Sequence, residues 1–184
     1  MRRTRFATIV ILLFANVVPA SASDMAPEFS LESSTGENVT LSQEVKEQTT
    51  VLFFWATWCP YCKALMPHLQ SIRLEYGDDV KILAINFRED GEPVKYIEDA
   101  GYDFTVLPDG DAVAASYGVH ATPGLIVVDR DRQNRFDLRK LPRRELPADS
   151  KQASSHKRKA AYRAPYWAAA LRESIDDVKG VSNR

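Results

Sequence analysis

Cysteine is nearly absent: the 184 residues include only Cys59 and Cys62. Two cysteines cannot build a disulfide framework, and a structural zinc site needs four ligands. His68, His120 and His156 are the only histidines and stand at no ligand spacing. With no clustered Met, His and Cys set, copper is an unattractive reading as well, and no metal or other cofactor is expected. A membrane-length apolar run is also missing, since Phe6 to Val18 covers thirteen residues where about 20 are needed to span a bilayer. The net charge is only −1, which argues against a generally polyanion-binding protein, and no internal repeat is visible. What remains, 45% hydrophobic and 27% charged residues, suits one or at most two globular domains with a core of ordinary size.

The near-neutral total conceals a segregation. Residues 23–129 carry 6 basic and 18 acidic groups, whereas residues 130–172 carry 13 basic and 4 acidic. An acidic body is thus followed by a basic extension.

At the N-terminus, Arg2, Arg3 and Arg5 precede the apolar run, and Ala20-Ser21-Ala22 supplies the small residues of a cleavage site. Residues 1–22 are read as an export signal cut after Ala22, with an uncleaved anchor as the alternative. Export implies an oxidising compartment, the periplasm. Nucleic acid is not expected there as a partner.

Along the exported chain, the stretch from Pro27 to Leu41 alternates apolar and polar residues around a Gly36-containing turn, which predicts a short hairpin. Val51 to Trp55 is a continuous apolar run, the pattern of a strand buried on both faces. Pro60 to Tyr76 reads as a helix through Leu65, Leu69, Ile72 and Tyr76, kinked at Pro67. Strands then follow at 80–86, 104–107 and 125–128, helices at 93–100 and 112–117, and a hairpin partner at 134–138. Strands alternating with helices indicate an α/β fold with a mixed central sheet covered on both faces. Residues 139–164, rich in Lys, Arg, Ser and Pro, read as a basic loop. Pro165 then suits the first position of a terminal helix over 165–184, which Gly180 ends.

Cys59-Pro60-Tyr61-Cys62 falls where the buried strand meets the first long helix. A thiol at a helix N-terminus lies beside unpaired N–H groups and the positive end of the helix dipole, both of which stabilise a thiolate. Cys59 is accordingly the exposed, attacking thiol, and Cys62, one turn later, resolves the mixed disulfide. A purely structural disulfide closing so small a loop would gain little chain entropy.

The segment Val51 to Cys62 with Met66-Pro67, the leading Pro27-Glu28-Phe29-Ser30-Leu31 and the later Ala121-Thr122-Pro123-Gly124 resemble TlpA-like thioredoxins, exported thiol-disulfide oxidoreductases that include cytochrome c maturation reductants. The resemblance spans residues 27 to about 138 and implies a thioredoxin-like domain over 23–138. It further implies that Pro123 is a cis-proline facing the disulfide, that the Thr122 backbone pairs with bound peptide, and that Glu89 tunes or relays the resolving thiol's proton. Trp58, Pro60 and Tyr61 would line the rim, with Trp55 in the core. Thioredoxins proper carry an Asp six residues before the first cysteine; Phe53 stands there in this chain.

The function expected is exchange with protein thiols and disulfides, as a reductant recharged by a membrane electron donor. An oxidase or isomerase on the same fold, or a non-catalytic redox-gated adaptor or metallochaperone, are the alternatives. Residues 151–172 are read either as a solvated linker or as a docking surface for an acidic partner or an anionic membrane face.

Overall fold

The computed structural model describes residues 24–142 and 155–182. The export signal expected over residues 1–22, and residues 143–154 of the expected basic loop, lie outside them. In chain order the elements are β1 (Ser30–Glu32), β2 (Asn38–Thr40), α1 (Leu41–Glu47), β3 (Thr49–Trp55), α2 (Pro60–Tyr76), β4 (Val80–Asn86), α3 (Pro93–Ala100), β5 (Thr105–Leu107), α4 (Asp111–Ser116), β6 (Gly124–Val128), β7 (Asn134–Asp137) and α5 (His156–Ser182).

β1 and β2 form the antiparallel hairpin, and the other strands make one sheet in the order β5-β4-β3-β6-β7. β3 is its centre, parallel to β4 and antiparallel to β6. All seven residues of β3 are buried, as the unbroken apolar run requires. Its alternate side chains feed opposite layers, as a period of two dictates. Val51, Phe53 and Trp55 meet α2, α3 and α5, while Leu52 and Phe54 meet Phe29, Leu41, Val45, Val113 and Tyr117. The mixed sheet with helices on both faces is a thioredoxin-like fold.

Two boundaries differ from expectation. Leu41 opens a helix instead of ending a strand, because Leu41 and Val45 lie one turn apart and both are buried under the sheet. More consequentially, residues 156–164 are helical: α5 begins at His156, and both Pro165 and Gly180 lie inside it. Ala164, Ala168, Leu171, Ile175 and Val178 form its buried stripe against α2, and the buried Ala160 continues that stripe towards the start of the helix. Small side chains at four-residue spacing let the two helices approach closely. Pro165 is exposed, as is Ala161, whose carbonyl loses its helical partner to the proline and can bond water instead.

Candidate active site

β3 carries the chain to the end of the sheet where Ala56, Thr57 and Trp58 lead into α2. Cys59 is the N-cap of α2 and Pro60 follows it inside the first turn, where an absent N–H forfeits no helical bond. Cys59 and Cys62 are joined in a disulfide with Cα atoms 5.3 Å apart. The Cys62 N–H donates to Cys59 Sγ at 3.0 Å, so the sulfur itself satisfies one of the orphan donors of the helix end. After reduction that donor and the helix dipole favour the Cys59 thiolate.

Sequence reasoning made Cys59 an exposed thiol; the structure corrects this, since it is 1% exposed and Cys62 is fully buried. As N-cap, the Cys59 sulfur is turned onto its own helix, and both cysteines pack in the layer that includes Trp55, Leu65 and Met66. Access to the disulfide is therefore governed by its rim. Trp58 is 51% exposed, whereas Pro60 and Tyr61 are half-buried.

The strand register brings the remaining expected residues to the same end of the sheet. Gly124 pairs with Phe54 one residue before β3 ends, which sets the preceding Thr122-Pro123 beside the cysteine loop. The Thr122–Pro123 peptide is cis. A Cβ on Gly124 would stand 3.0 Å from Phe54 Cβ and 2.9 Å from Val119 Cγ1, so the close strand approach needs glycine there. Phe53, in place of an acid, is fully buried and stacks on Trp55.

Glu89 lies just beyond β4 and closes the cysteine loop from below. Its Oε2 accepts from Thr57 N and Asn86 Nδ2, both at 2.7 Å, and its Oε1 accepts from Thr57 Oγ1 at 2.6 Å and from Asp90 N and Gly91 N at 3.0 Å. No cysteine is among its hydrogen-bond partners. Burial pushes the carboxyl up, but the bonds from the Thr57 hydroxyl, the Asn86 amide and the Thr57 and Asp90 N–H groups outweigh it and lower it from 4.5 to about 2. A carboxyl lowered on folding stabilises the fold fully above its unfolded value, and the contribution fades as pH falls from 4.5 towards 2. Wild-type and Glu89→Gln stabilities should therefore converge over that interval in acid urea titrations. At pH 7, Glu89→Ala should cost about 1–3 kcal/mol, chiefly because the buried Asn86 amide loses its shorter bond and keeps only the Trp55 carbonyl at 3.4 Å.

Arg88 is a participant that sequence reasoning missed. Its carbonyl accepts from Trp58 Nε1 at 2.8 Å, its Nη1 donates to the His120 carbonyl at 2.8 Å, and its N–H donates to Asp111 Oδ1 at 3.3 Å. One residue thus ties the cysteine loop to the loop before Pro123. Its backbone has φ 52°, a left-handed conformation that nothing in a charged loop residue announces.

Tyr61, inside the cysteine motif, touches the C-terminal helix. Its hydroxyl lies 3.4 Å from His156 Nδ1, the Arg163 guanidinium carbon lies 5.6 Å from its ring centroid, and the Trp167 ring lies 6.1 Å away.

These features define the class: a thioredoxin-like fold carrying a Cys-X-X-Cys disulfide at the head of its first long helix. Residues 22–135 match the AhpC/TSA family, and the chain belongs to it. It is 34% identical over 108 residues to the thioredoxin-like protein YneN of Bacillus subtilis, an alignment covering 56% of this chain and 63% of YneN. It is 33% identical to the thiol-disulfide oxidoreductase ResA of Halalkalibacterium halodurans, over 63% of this chain and 67% of that one. The chain thus spans a little under two thirds of YneN and about two thirds of ResA. Among solved structures, a Chlorobium tepidum protein assigned as thiol:disulfide interchange protein DsbE superimposes with a TM-score of 0.56 at 26% identity, over 76% of this chain and 96% of that one. The resemblance read from residues 27–138 is borne out at the level of family and fold. Among the described residues no helix is long and apolar enough to cross a membrane.

Proposed function

We propose that the protein is an exported, periplasmic thiol-disulfide oxidoreductase that exchanges disulfides with partner proteins through Cys59 and Cys62, in the reducing direction. The observation that carries this reading is the Cys59–Cys62 disulfide at the N-terminus of α2, with the Cys62 N–H aimed at Cys59 Sγ. Similarity to proteins named as thiol-disulfide oxidoreductases supports it.

In the reduced form, the Cys59 thiolate attacks one sulfur of a partner disulfide. A Cys59–partner bond forms, and the partner's other sulfur leaves as a thiolate. Cys62, having given its proton to that thiolate or to water, then attacks Cys59 Sγ; the Cys59–Cys62 bond forms and the partner's remaining sulfur is released. The partner gains two electrons and this chain loses two, which a membrane dithiol donor restores. Apocytochromes and metal-site assembly proteins are the partner class that the TlpA-like resemblance favours. Trp58, Pro60, Tyr61 and the Thr122 backbone beside Pro123 form the surface that receives the partner. Glu89 serves as a positioning residue: it stays anionic, with both oxygens occupied, and fixes the Thr57 turn that presents Cys59.

Equilibration of the Cys59/Cys62 couple against dithiothreitol or glutathione buffers tests the reading. A potential towards about −270 mV, the range of thioredoxin reductants, is expected. A value near about −120 mV, that of strong oxidants, would sink the reducing direction. Failure to equilibrate with either buffer would sink exchange chemistry altogether.

A further inference from the structure

α5 runs beside α2 in the same direction. Its later part is pinned to the end of α2 and the turn beyond: Arg172 Nε donates to Glu75 Oε2 at 2.7 Å, Tyr76 Oη to Asp176 Oδ1 at 2.8 Å, and Lys179 Nζ to Asp79 Oδ2 at 2.7 Å. Arg163 and Trp167 stand level with Tyr61, at the start of α2. At 1.5 Å per residue, the seven residues before Arg163 carry α5 about 10 Å past that level. The helix therefore overshoots the end of α2 that holds the disulfide.

The overhang is of one sign. Residues 155–172 contain no acid; Lys157, Arg158 and Lys159 fall within the overshooting turns and Arg163 stands at their base, over Tyr61. Lys157 and Arg158 are exposed and Lys159 is half-buried. Farther along α5 the cations are neutralised, Arg172 by Glu75 and Lys179 by Asp79. By contrast, none of the four upstream cations is paired with a carboxylate among the described residues. The cations that hold the helix in place are thus distinct from those of the overhang.

Because Cys59 is 1% exposed, a partner must bring its sulfur well into the rim to react. The residues flanking that sulfur then lie against the overhang. An acidic partner is repelled by the body, with its 18 acidic against 6 basic groups over residues 23–129, and is drawn to this one side. We propose that residues 156–163 are a docking wall that selects exchange partners carrying acidic residues beside the reacting cysteine. The proposal rests on the exchange reading above and adds to it the chemistry of the partner. A protein partner is favoured over a membrane face because the wall touches Tyr61, the residue between the two cysteines.

The test uses the reduced full chain and two synthetic peptides of equal length with the same internal disulfide, one flanked by four Asp and Glu residues, the other by Ser and Gln. At low salt the acidic peptide should be reduced with kcat/KM about tenfold or more above the neutral one, and the preference should shrink at high salt. K157E/R158E/K159E should abolish or invert the preference while leaving the neutral peptide within about twofold; K157Q/R158Q/K159Q, which removes charge without adding repulsion, should reduce it. Equal rates for the two peptides with the wild-type chain would overturn the proposal, as would equal loss on both peptides in either triple variant. Salt-sensitive binding to phosphatidylglycerol vesicles that the triple variants lose, without peptide preference, would reassign the wall to a membrane. If the neutral peptide is not reduced either, the exchange reading itself fails.

Discussion

Cys62→Ser should accumulate mixed disulfides between Cys59 and partner proteins, and Cys59→Ser should accumulate none. The asymmetry follows from the end of α2. Cys59 is its N-cap, with the Cys62 N–H 3.0 Å from the sulfur, so the donor that favours a thiolate at Cys59 belongs to the backbone and survives replacement of the Cys62 side chain. Without the second sulfur the Cys59–partner bond has no intramolecular attacker, and uncatalysed rearrangement takes minutes to hours. The adducts should be visible as reducible bands on non-reducing gels, and turnover of a disulfide substrate should fall to the uncatalysed level in both variants. Adducts forming equally with Cys59→Ser would reverse the roles given to the two thiols.

Phe53→Ala should destabilise the protein by about 3–5 kcal/mol. Phe53 is fully buried in the central strand, faces Ala84 on β4 and Leu125 on β6, and stacks on Trp55 at 6.3 Å between centroids. Truncation leaves a cavity between helix and sheet that neither neighbouring strand can close without breaking register. Urea unfolding should show a lowered midpoint with an unchanged slope. Phe53→Asp, which restores the acid of thioredoxins proper, should be at least as damaging, because its cross-strand neighbours are apolar and offer a carboxylate no partner. A Phe53→Asp variant as stable as wild type would show that a polar path to that site exists.

Much of the fold could be read along the chain because its signals are local. The run from Val51 to Trp55 is apolar at every position because the strand is central and covered twice, and it appears as β3 with no exposed residue. Cys59 and Pro60 declare a helix start by residue type alone. Glu89 could be singled out by its place after β4, but its behaviour could not. Its low carboxyl value, reached against burial, comes from Thr57, 32 positions earlier, and from Asn86 and Asp90 converging on two oxygens. Arg88 carried no signal at all, since its bonds to Trp58, His120 and Asp111 depend on three loops meeting.

The scarcity of cysteine is itself informative: with two thiols three residues apart at a strand-to-helix junction, the sequence by itself determined where exchange chemistry could occur and on what class of fold. That is short-range information, set by residue type, periodicity and helix-end electrostatics. Tertiary structure alone decided what surrounds the pair. A stretch of Lys, Arg and Ser reads as solvated loop when only neighbours along the chain are considered, yet from His156 onward it is helix, because Ala164, Ala168 and Leu171 find α2 to pack against. Burial of that stripe outweighs the exposed proline within the helix, and the same packing sets the basic turns beside Tyr61.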